Sequence, residues 1–306
     1  MLCHPSNTCA GVNGTSLDIL VTDMCNAKCP FCFNRETPCT NTFIKIDVAK
    51  TIIRQTQAEN VLLLGGEPTL YPMIEELINY SKTHGKKVYM TTNGTRMDGF
   101  AYRNLDGLNI SIHHYDPAKI KELMGIRLDM NHIASSVKML KSHNPSLNVR
   151  INCNLVRGYI DDLMACGQML HLAETLGCDH IRFNELQDTP DLYVNAQSIF
   201  SELQGIDPFI DGCEQSVFKF NRRVTSSVHM TCGLLNPERP KPDEIEGRKA
   251  STIIHDCNGK QITYKRILPK TESVNRNDIS SMTCHETVSS SNMNCHSSSH
   301  HSSGCH

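Results

Sequence analysis

The sequence predicts an α/β protein built as a partial (β/α)6 TIM-like barrel, and three observations carry that prediction. Short stretches rich in Val, Ile and Leu recur through the first two thirds of the chain. The segments between them place apolar residues at three- and four-residue spacing, the period of a helix with one buried face. A length of 306 residues with 39% hydrophobic content is enough to bury one sizeable core.

The strand candidates in order are "LDILVT" (17–22), "NVLLL" (60–64), "KVYMTT" (87–92), "LNISI" (108–112), "LNVRINCNLV" (147–156) and "HIRFNEL" (180–186). Helices are expected over 47–58, 71–84, 131–142 and 161–176, with Asp47 and Asp161 as N-terminal caps. Strands separated by helices call for a parallel sheet with right-handed crossovers, and six units suit a partial barrel better than a closed eight-fold one. Residues 1–16 read as an N-terminal extension and 17–190 as the barrel core. Residues 191–270 read as an extension covering the barrel, with "PERPKPDEIE" (237–246) as a linker-like stretch. From Thr271 the chain turns to Ser, Asn, His and Cys with few large apolar residues, so 271–306 reads as a disordered Cys/His-rich tail.

Composition excludes several classes of function. No basic segment leads into an apolar run at the start, and "VLLL" (61–64) is far too short to cross a bilayer, so a cytoplasmic protein without membrane contact is expected. The formal net charge of −2 is accounted for by the tail, where Arg276 stands against Glu272, Asp278 and Glu286; the rest is balanced and makes no electrostatic case for nucleic acid. Fifteen cysteines could form a disulfide scaffold, but such scaffolds are small secreted chains, and cysteines in an intracellular chain of this size more often bind metal or do chemistry.

Three of those cysteines fall in "TDMCNAKCPFCFN" (22–34). Cys25, Cys29 and Cys32 follow the first strand, at the C-terminal mouth where barrels of this type place their chemistry. Tetrahedral zinc would need a fourth ligand, whereas an iron–sulfur cube held by three thiolates keeps one iron open for a substrate or cofactor. The second strand runs into "LLGGEPTL". There Gly65 and Gly66 let backbone approach a ligand, and Glu67 or the neighbouring carbonyls can accept hydrogen bonds from an ammonium. The alternative is a turn that caps the next helix.

A CxxxCxΦC triplet with Phe31 before its last cysteine, followed by "GGEP" at the next strand end, resembles the radical S-adenosylmethionine (SAM) superfamily over roughly 17–186. The resemblance implies a [4Fe–4S] cluster on Cys25, Cys29 and Cys32, with SAM completing the open iron. It also implies reductive cleavage to a 5′-deoxyadenosyl radical that takes hydrogen from a small-molecule or peptide substrate. A one-electron reductant of flavodoxin or ferredoxin type follows as a partner. Candidate SAM-binding residues are Phe31, Gly65, Gly66, Glu67, Thr92, Asn93, Ser111 and Asn154, with Thr91 beside them. The fifth and sixth units look like those of the molybdenum-cofactor cyclase branch and of peptide-modifying maturases. The second-cluster CxxC and terminal Gly-Gly of that cyclase do not occur, and only the scattered Cys213, Cys232 and Cys257 could form an auxiliary site.

In "SIHHYDP" (111–117), period two from Ser111 turns His113 inward, where it could orient substrate or relay a proton, against the plainer reading of a satisfied strand-end histidine. The tail cysteines Cys284, Cys295 and Cys305, each beside a histidine, supply ligands for zinc, copper or nickel. The runner-up reading of the whole chain is a non-catalytic iron–sulfur or metal-storage protein, for which "GGEP" would have no use.

Overall fold

The computed structural model describes residues 16–32, 40–186, 189–200, 215–219, 224–229 and 252–262. The N-terminal extension up to residue 15, Cys213, Cys232, the 237–246 stretch and the tail lie outside the described residues.

Six parallel strands form in sequence order: β1 (Ser16–Thr22), β2 (Asn60–Gly65), β3 (Lys87–Thr92), β4 (Gly107–Ser111), β5 (Asn148–Asn154) and β6 (His180–Asn184). Between them run α1 (Ile46–Gln55), α2 (Ile74–Thr83), α3 (Pro117–Met124), α4 (Met130–His143) and α5 (Leu163–Thr175). Helix α3 is not among the expected elements, because eight residues give too little periodicity. Its terminal signals are in the sequence all the same: Asp116 Oδ1 accepts the Ala118 N–H at 2.8 Å, Pro117 opens the helix, and Gly125 closes it at φ 72°. Two expected caps shift by a residue or two. Lys45 occupies the cap position of α1 without a side-chain bond, leaving Asp47 in the first turn. Asp162 rather than Asp161 caps α5 through the Ala165 N–H at 2.7 Å, while Asp161 accepts the Gly158 N–H of the preceding turn.

The sheet continues beyond six strands. β7 (Gln215–Lys219) pairs antiparallel with β8 (Thr225–His229), which lies parallel beside β6. On the opposite edge β9 (Thr252–His255) lies parallel beside β1 and carries β10 (Gln261–Ile262) antiparallel, giving the order β10-β9-β1-β2-β3-β4-β5-β6-β8-β7. The segment expected to cover the barrel therefore supplies strands to both edges. An edge strand leaves a row of N–H and C=O groups to satisfy, and added strands satisfy them.

Alternation along each strand sorts the residues into two layers. Leu17, Ile19 and Val21, Val61 and Leu63, Val88 and Met90, Leu108 and Ile110, Val149 and Ile151, and Ile181 and Phe183 join the helices in one continuous buried core. The inner layer is divided. Leu20, Leu62, Leu64 and Ile254 form a small apolar cluster with Tyr89 and Ile262 around β1 to β3 and the β9 edge. Toward β4 to β8 the inner layer is polar: Asn109 Nδ2 donates to Thr91 Oγ1 at 3.2 Å, and His180 lies 2.6 Å from Thr225 Oγ1 and 2.7 Å from Ser227 Oγ. The buried Arg150 and Arg182 belong to the same sector. Burial, and then the Arg182 charge, bring Arg150 down to about 9.

Candidate active site at the carboxyl ends of β1 to β5

The thiol loop leaves β1 and is keyed to its neighbours by backbone bonds. Thr22 Oγ1 accepts the Met24 N–H at 3.0 Å and donates to Thr42 O at 2.9 Å. The Asp23 carboxylate accepts from the Thr40 N–H, the Thr40 hydroxyl and the Thr42 N–H at 2.8, 2.6 and 2.7 Å. Burial pushes the Asp23 carboxyl upward, but these bonds outweigh it and hold the group below the usual range. Farther along, the Lys28 N–H reaches Met124 O at 2.7 Å, the Cys32 N–H bonds Cys29 O at 3.1 Å, and Cys25 Sγ accepts the Ala27 N–H at 3.3 Å.

The "GGEP" turn docks on this loop. The Gly66 N–H donates to Thr22 O and the Glu67 N–H to Met24 O, both at 2.7 Å. Gly65 holds φ 145°, a conformation L side chains rarely adopt, and a Cβ on Gly66 would fall inside the Met24 carbonyl. The close approach expected of Gly66 is thus made first by the chain's own thiol loop. Glu67 is enclosed at 1% exposure, and its carboxylate is spent inside the protein. Oε1 accepts from the Thr69 N–H, the Thr69 hydroxyl and the Thr92 hydroxyl at 3.1, 2.7 and 2.6 Å, and Oε2 accepts the Asn93 N–H at 2.7 Å. By capping the short Pro68–Leu70 turn, Glu67 also fulfils the helix-capping reading of the motif. Of the "GGE" acceptors, the Glu67 carboxylate is thus engaged and the Glu67 carbonyl accepts the Leu70 N–H at 3.0 Å, which leaves the Gly65 and Gly66 carbonyls as candidates.

The "TTNGT" turn after β3 closes the corner. Asn93 Nδ2 donates to Asn26 Oδ1 at 2.7 Å, Asn26 Nδ2 donates to Thr95 Oγ1 at 2.9 Å, and Thr95 returns its hydroxyl to Asn93 Oδ1 at 2.7 Å. Asn93 also hydrogen-bonds Cys25. One polar network therefore centres on Asn93, which bonds Glu67 through its backbone N–H and Asn26 and Cys25 through its side chain, with Thr92 on the same Glu67 carboxylate, linking three loops. Thr92 belongs to this internal chain; alternation puts Thr91 on the inner layer with Asn109.

Ser111 and Asn154 end β4 and β5, half-exposed at the same rim. The backbone N–H of Asn154 donates to His113 Nδ1 at 3.0 Å, and the His113 ring meets Phe31 edge-on with centroids 4.9 Å apart. His114 turns away, stacking on Tyr115 at 4.3 Å. Burial drives His113 down to about 3.

The thiols' surroundings suit a positively charged group bound at sulfur. Burial first, then the Glu67 and Cys32 charges, lifts Cys25 to about 11 despite the Ala27 N–H; burial, then Cys32 and Cys25, lifts Cys29 to about 12. Thiols in such a place ionise when metal charge compensates them. Among the described residues no three His, Cys, Asp or Glu side chains gather to hold a single ion; a cube does not require that, since each thiolate takes its own iron. The three cysteines, half-exposed and one ligand short of closure, fit a [4Fe–4S] cluster. Cys153, Cys166 and Cys178 are buried in the outer core. By sequence Cys257 belongs with the scattered thiols. The β9–β10 turn brings it within reach of the Asp23 charge, beside the thiol loop, a neighbourhood that only sheet topology creates.

A parallel α/β sheet with a three-thiol loop after its first strand, docked on a glycine turn after its second, defines an iron–sulfur protein class with an open coordination position. Residues 19–165 match the family described as the Radical SAM superfamily, so the chain carries a domain of that superfamily. It is 30% identical over 184 residues to a GTP 3′,8-cyclase of Chlorobaculum tepidum, covering 56% of this chain and 54% of the relative. It is 28% identical over 178 residues to a PqqA peptide cyclase of Streptomyces rochei, covering 55% and 47%. The chain thus spans about half the length of these curated relatives. In fold it is similar to Streptococcus suis SuiB bound to S-adenosylmethionine, with a TM-score of 0.58, 17% identity, and 81% of this chain and 60% of that one covered. No helix among the described residues is long and apolar enough to cross a membrane.

Proposed function

We propose that this chain cleaves S-adenosylmethionine reductively and uses the outcome to modify a small molecule or peptide. The observation that carries the reading is the docked corner: a three-thiol loop held by backbone bonds to the "GGE" turn and by Asn26 and Asn93 to the "TTNGT" turn. A storage site needs thiols but no such second and third loop. Cys25, Cys29 and Cys32 would hold the [4Fe–4S] cluster. When bound, the cluster and SAM supply one electron to the sulfonium and a 5′-deoxyadenosyl radical for hydrogen abstraction. The chain's own part is to place and shield. The Gly65 and Gly66 carbonyls would accept from the SAM ammonium, while Ser111 and Asn154 would offer polar groups at the rim. Phe31 and His113, both buried and packed edge-on, would shield the thiol loop from water on that side. The electron comes from a reductant of flavodoxin or ferredoxin type. Two named relatives, a GTP 3′,8-cyclase and a PqqA peptide cyclase, support cofactor biosynthesis or peptide modification as the setting.

The test is anaerobic reconstitution with iron and sulfide, then SAM and dithionite, with 5′-deoxyadenosine measured. Wild type forms it. Cys25→Ala, Cys29→Ala and Cys32→Ala lose both iron and product, because two thiolates leave the cube under-ligated, whereas Cys178→Ala keeps both. Product from any mutant of the triplet refutes the assignment.

A further inference from the structure

The loops around the thiol triplet close into an outer rim, and its unpaired charges are cations. Lys28 lies between Cys25 and Cys29; its N–H bonds Met124 O at 2.7 Å, and its stem crosses Gly125, where a Cβ would fall 3.2 Å from Lys28 Cβ. The Gly125 N–H bonds Lys121 O at 3.0 Å, and Arg127 follows two residues on. Farther round, His132 at the start of α4 reaches Asp98 at 3.2 Å, and Asn26 of the thiol loop donates to Thr95 Oγ1 at 2.9 Å, next to Arg96. Lys28, Arg96, Lys121 and Arg127 are exposed, and among the described residues none of the four makes an ion pair. The acids of the same rim are engaged: Asp98 with His132, Asp129 as the cap of α4, and Glu122 with Lys119 and the Tyr159 hydroxyl. A chain whose formal net charge is −2 has no general excess of cations to spread there. The helix dipole accounts for Lys121 in the last turn of α3, but Lys28, Arg96 and Arg127 lie outside the helices.

We propose that Lys28, Arg96, Lys121 and Arg127 form the docking surface for an acidic one-electron carrier protein of flavodoxin type. The inference rests on the reading that a cluster sits on the three thiols. SAM and substrate would take the barrel side of that cluster, so the electron has to enter from outside, through the loop that carries the thiols. Three thiolates make that loop negative, and exposed cations offset the repulsion an acidic carrier would meet there. Electron-transfer encounters are small and are steered by charge, which suits a rim of four separate cations rather than a large apolar patch. In the encounter the carrier is oxidised by one electron and the cluster reduced by one, with no bond made or broken.

Three double variants of the full chain test it. Lys121→Glu with Arg127→Glu reverses two rim charges, and Lys121→Gln with Arg127→Gln neutralises them, should the first fail to fold. Lys87→Glu with Lys138→Glu makes the same charge change on exposed lysines at the start of β3 and on α4. Two quantities are read: affinity for an acidic flavodoxin, by biolayer interferometry at low salt, and 5′-deoxyadenosine formed with limiting reduced flavodoxin against that formed with dithionite, a small reductant that needs no docking surface. The neutral pair should weaken flavodoxin binding about two- to fivefold and the reversed pair about five- to twentyfold. Flavodoxin-driven product should fall by the same factors, while dithionite-driven product stays at the wild-type level. Roughly 0.5 M salt should erase the differences, because exposed charges are screened there. The Lys87 and Lys138 pair should behave as wild type. Wild-type affinity in the reversed and neutral pairs overturns the inference, as does a remote pair that is equally weak, or a wild type that binds no flavodoxin. Equal loss with both reductants also overturns it and gives the rim to an acidic substrate peptide instead. A wild type that forms no product with dithionite condemns the parent reading, whatever the binding shows.

Discussion

The outer core and the site corner are stabilised in opposite ways. In the outer core Leu17, Leu63, Val88, Leu108, Ile151 and their neighbours are fully buried in one continuous cluster, so each side chain is one of many and a deletion leaves a local cavity. In the corner a few atoms carry the arrangement. The Met24 carbonyl sits where a Gly66 side chain would be, and the two carboxylate oxygens of Glu67 collect four hydrogen bonds. In the first region interactions are numerous and non-directional, so a truncation costs stability but leaves the site arrangement intact. In the second they are few and each has a fixed geometry, so a change disturbs the site itself.

The largest effect should come from breaking the corner with Gly66→Val. The branched side chain meets backbone of the thiol loop, so we expect about 3–5 kcal/mol of destabilisation, with loss of iron as well as of SAM binding. Calorimetry and iron analysis check both. A variant that loads iron normally while binding SAM weakly would restore the simpler idea that Gly66 only makes room for the ligand.

Leu63→Ala sharpens the contrast from the other side. Truncation in the core should cost about 2–5 kcal/mol yet leave iron content unchanged per folded molecule. Denaturant titration gives the first quantity and metal analysis of the native fraction the second; iron lost in proportion beyond unfolding would show that the two regions are coupled.

Asp18 tests the inner layer. Burial lifts its carboxyl from 3.8 to about 6, against the hydrogen bond donated by Ser16 at 2.9 Å. A folded-state value above the unfolded one means that stability is highest when the group is protonated, declines as pH rises from about 3.8 to about 6, and stays lower above that. Asp18→Asn should therefore gain about 2–3 kcal/mol at pH 7, at about 1.4 kcal/mol per unit, and nothing near pH 3.5. Unfolding curves at the two pH values decide it, and a gain of equal size at both would rule out titration as the cause.

The smallest predicted change is Glu67→Gln. The amide would point its N–H₂ at the Asn93 N–H, or at the Thr69 and Thr92 donors if flipped, for a cost of about 1–3 kcal/mol. Cluster loading should survive, with SAM affinity reduced through displacement of the "TTNGT" turn. Unaltered stability would mean that the four bonds are not worth what their geometry suggests.

Much of this protein is legible in the residue pattern alone. The six parallel strands, four of the helices and the thiol loop at the mouth follow from period-two and period-3.6 patterns and from cysteine spacing. Helix α3 is too short for periodicity, and the strands at both edges come from a segment in which the alternation has stopped. Glu67 and Thr92 read in sequence as groups offered to a ligand, whereas they hydrogen-bond one another across 25 residues of chain. Cys257 looks solitary until β9 pairs with β1.

The sequence by itself determined the layers, the order of the strands and which residues stand at their ends, because strand and helix patterns depend on neighbours one to four positions away. Tertiary structure alone decided what those end residues touch. Gly66 over Met24, Asn93 against Asn26, and His113 between Asn154 and Phe31 each join separate loops. The direction of a hydrogen bond, and the atom left over to meet a ligand, exist only once those loops have docked.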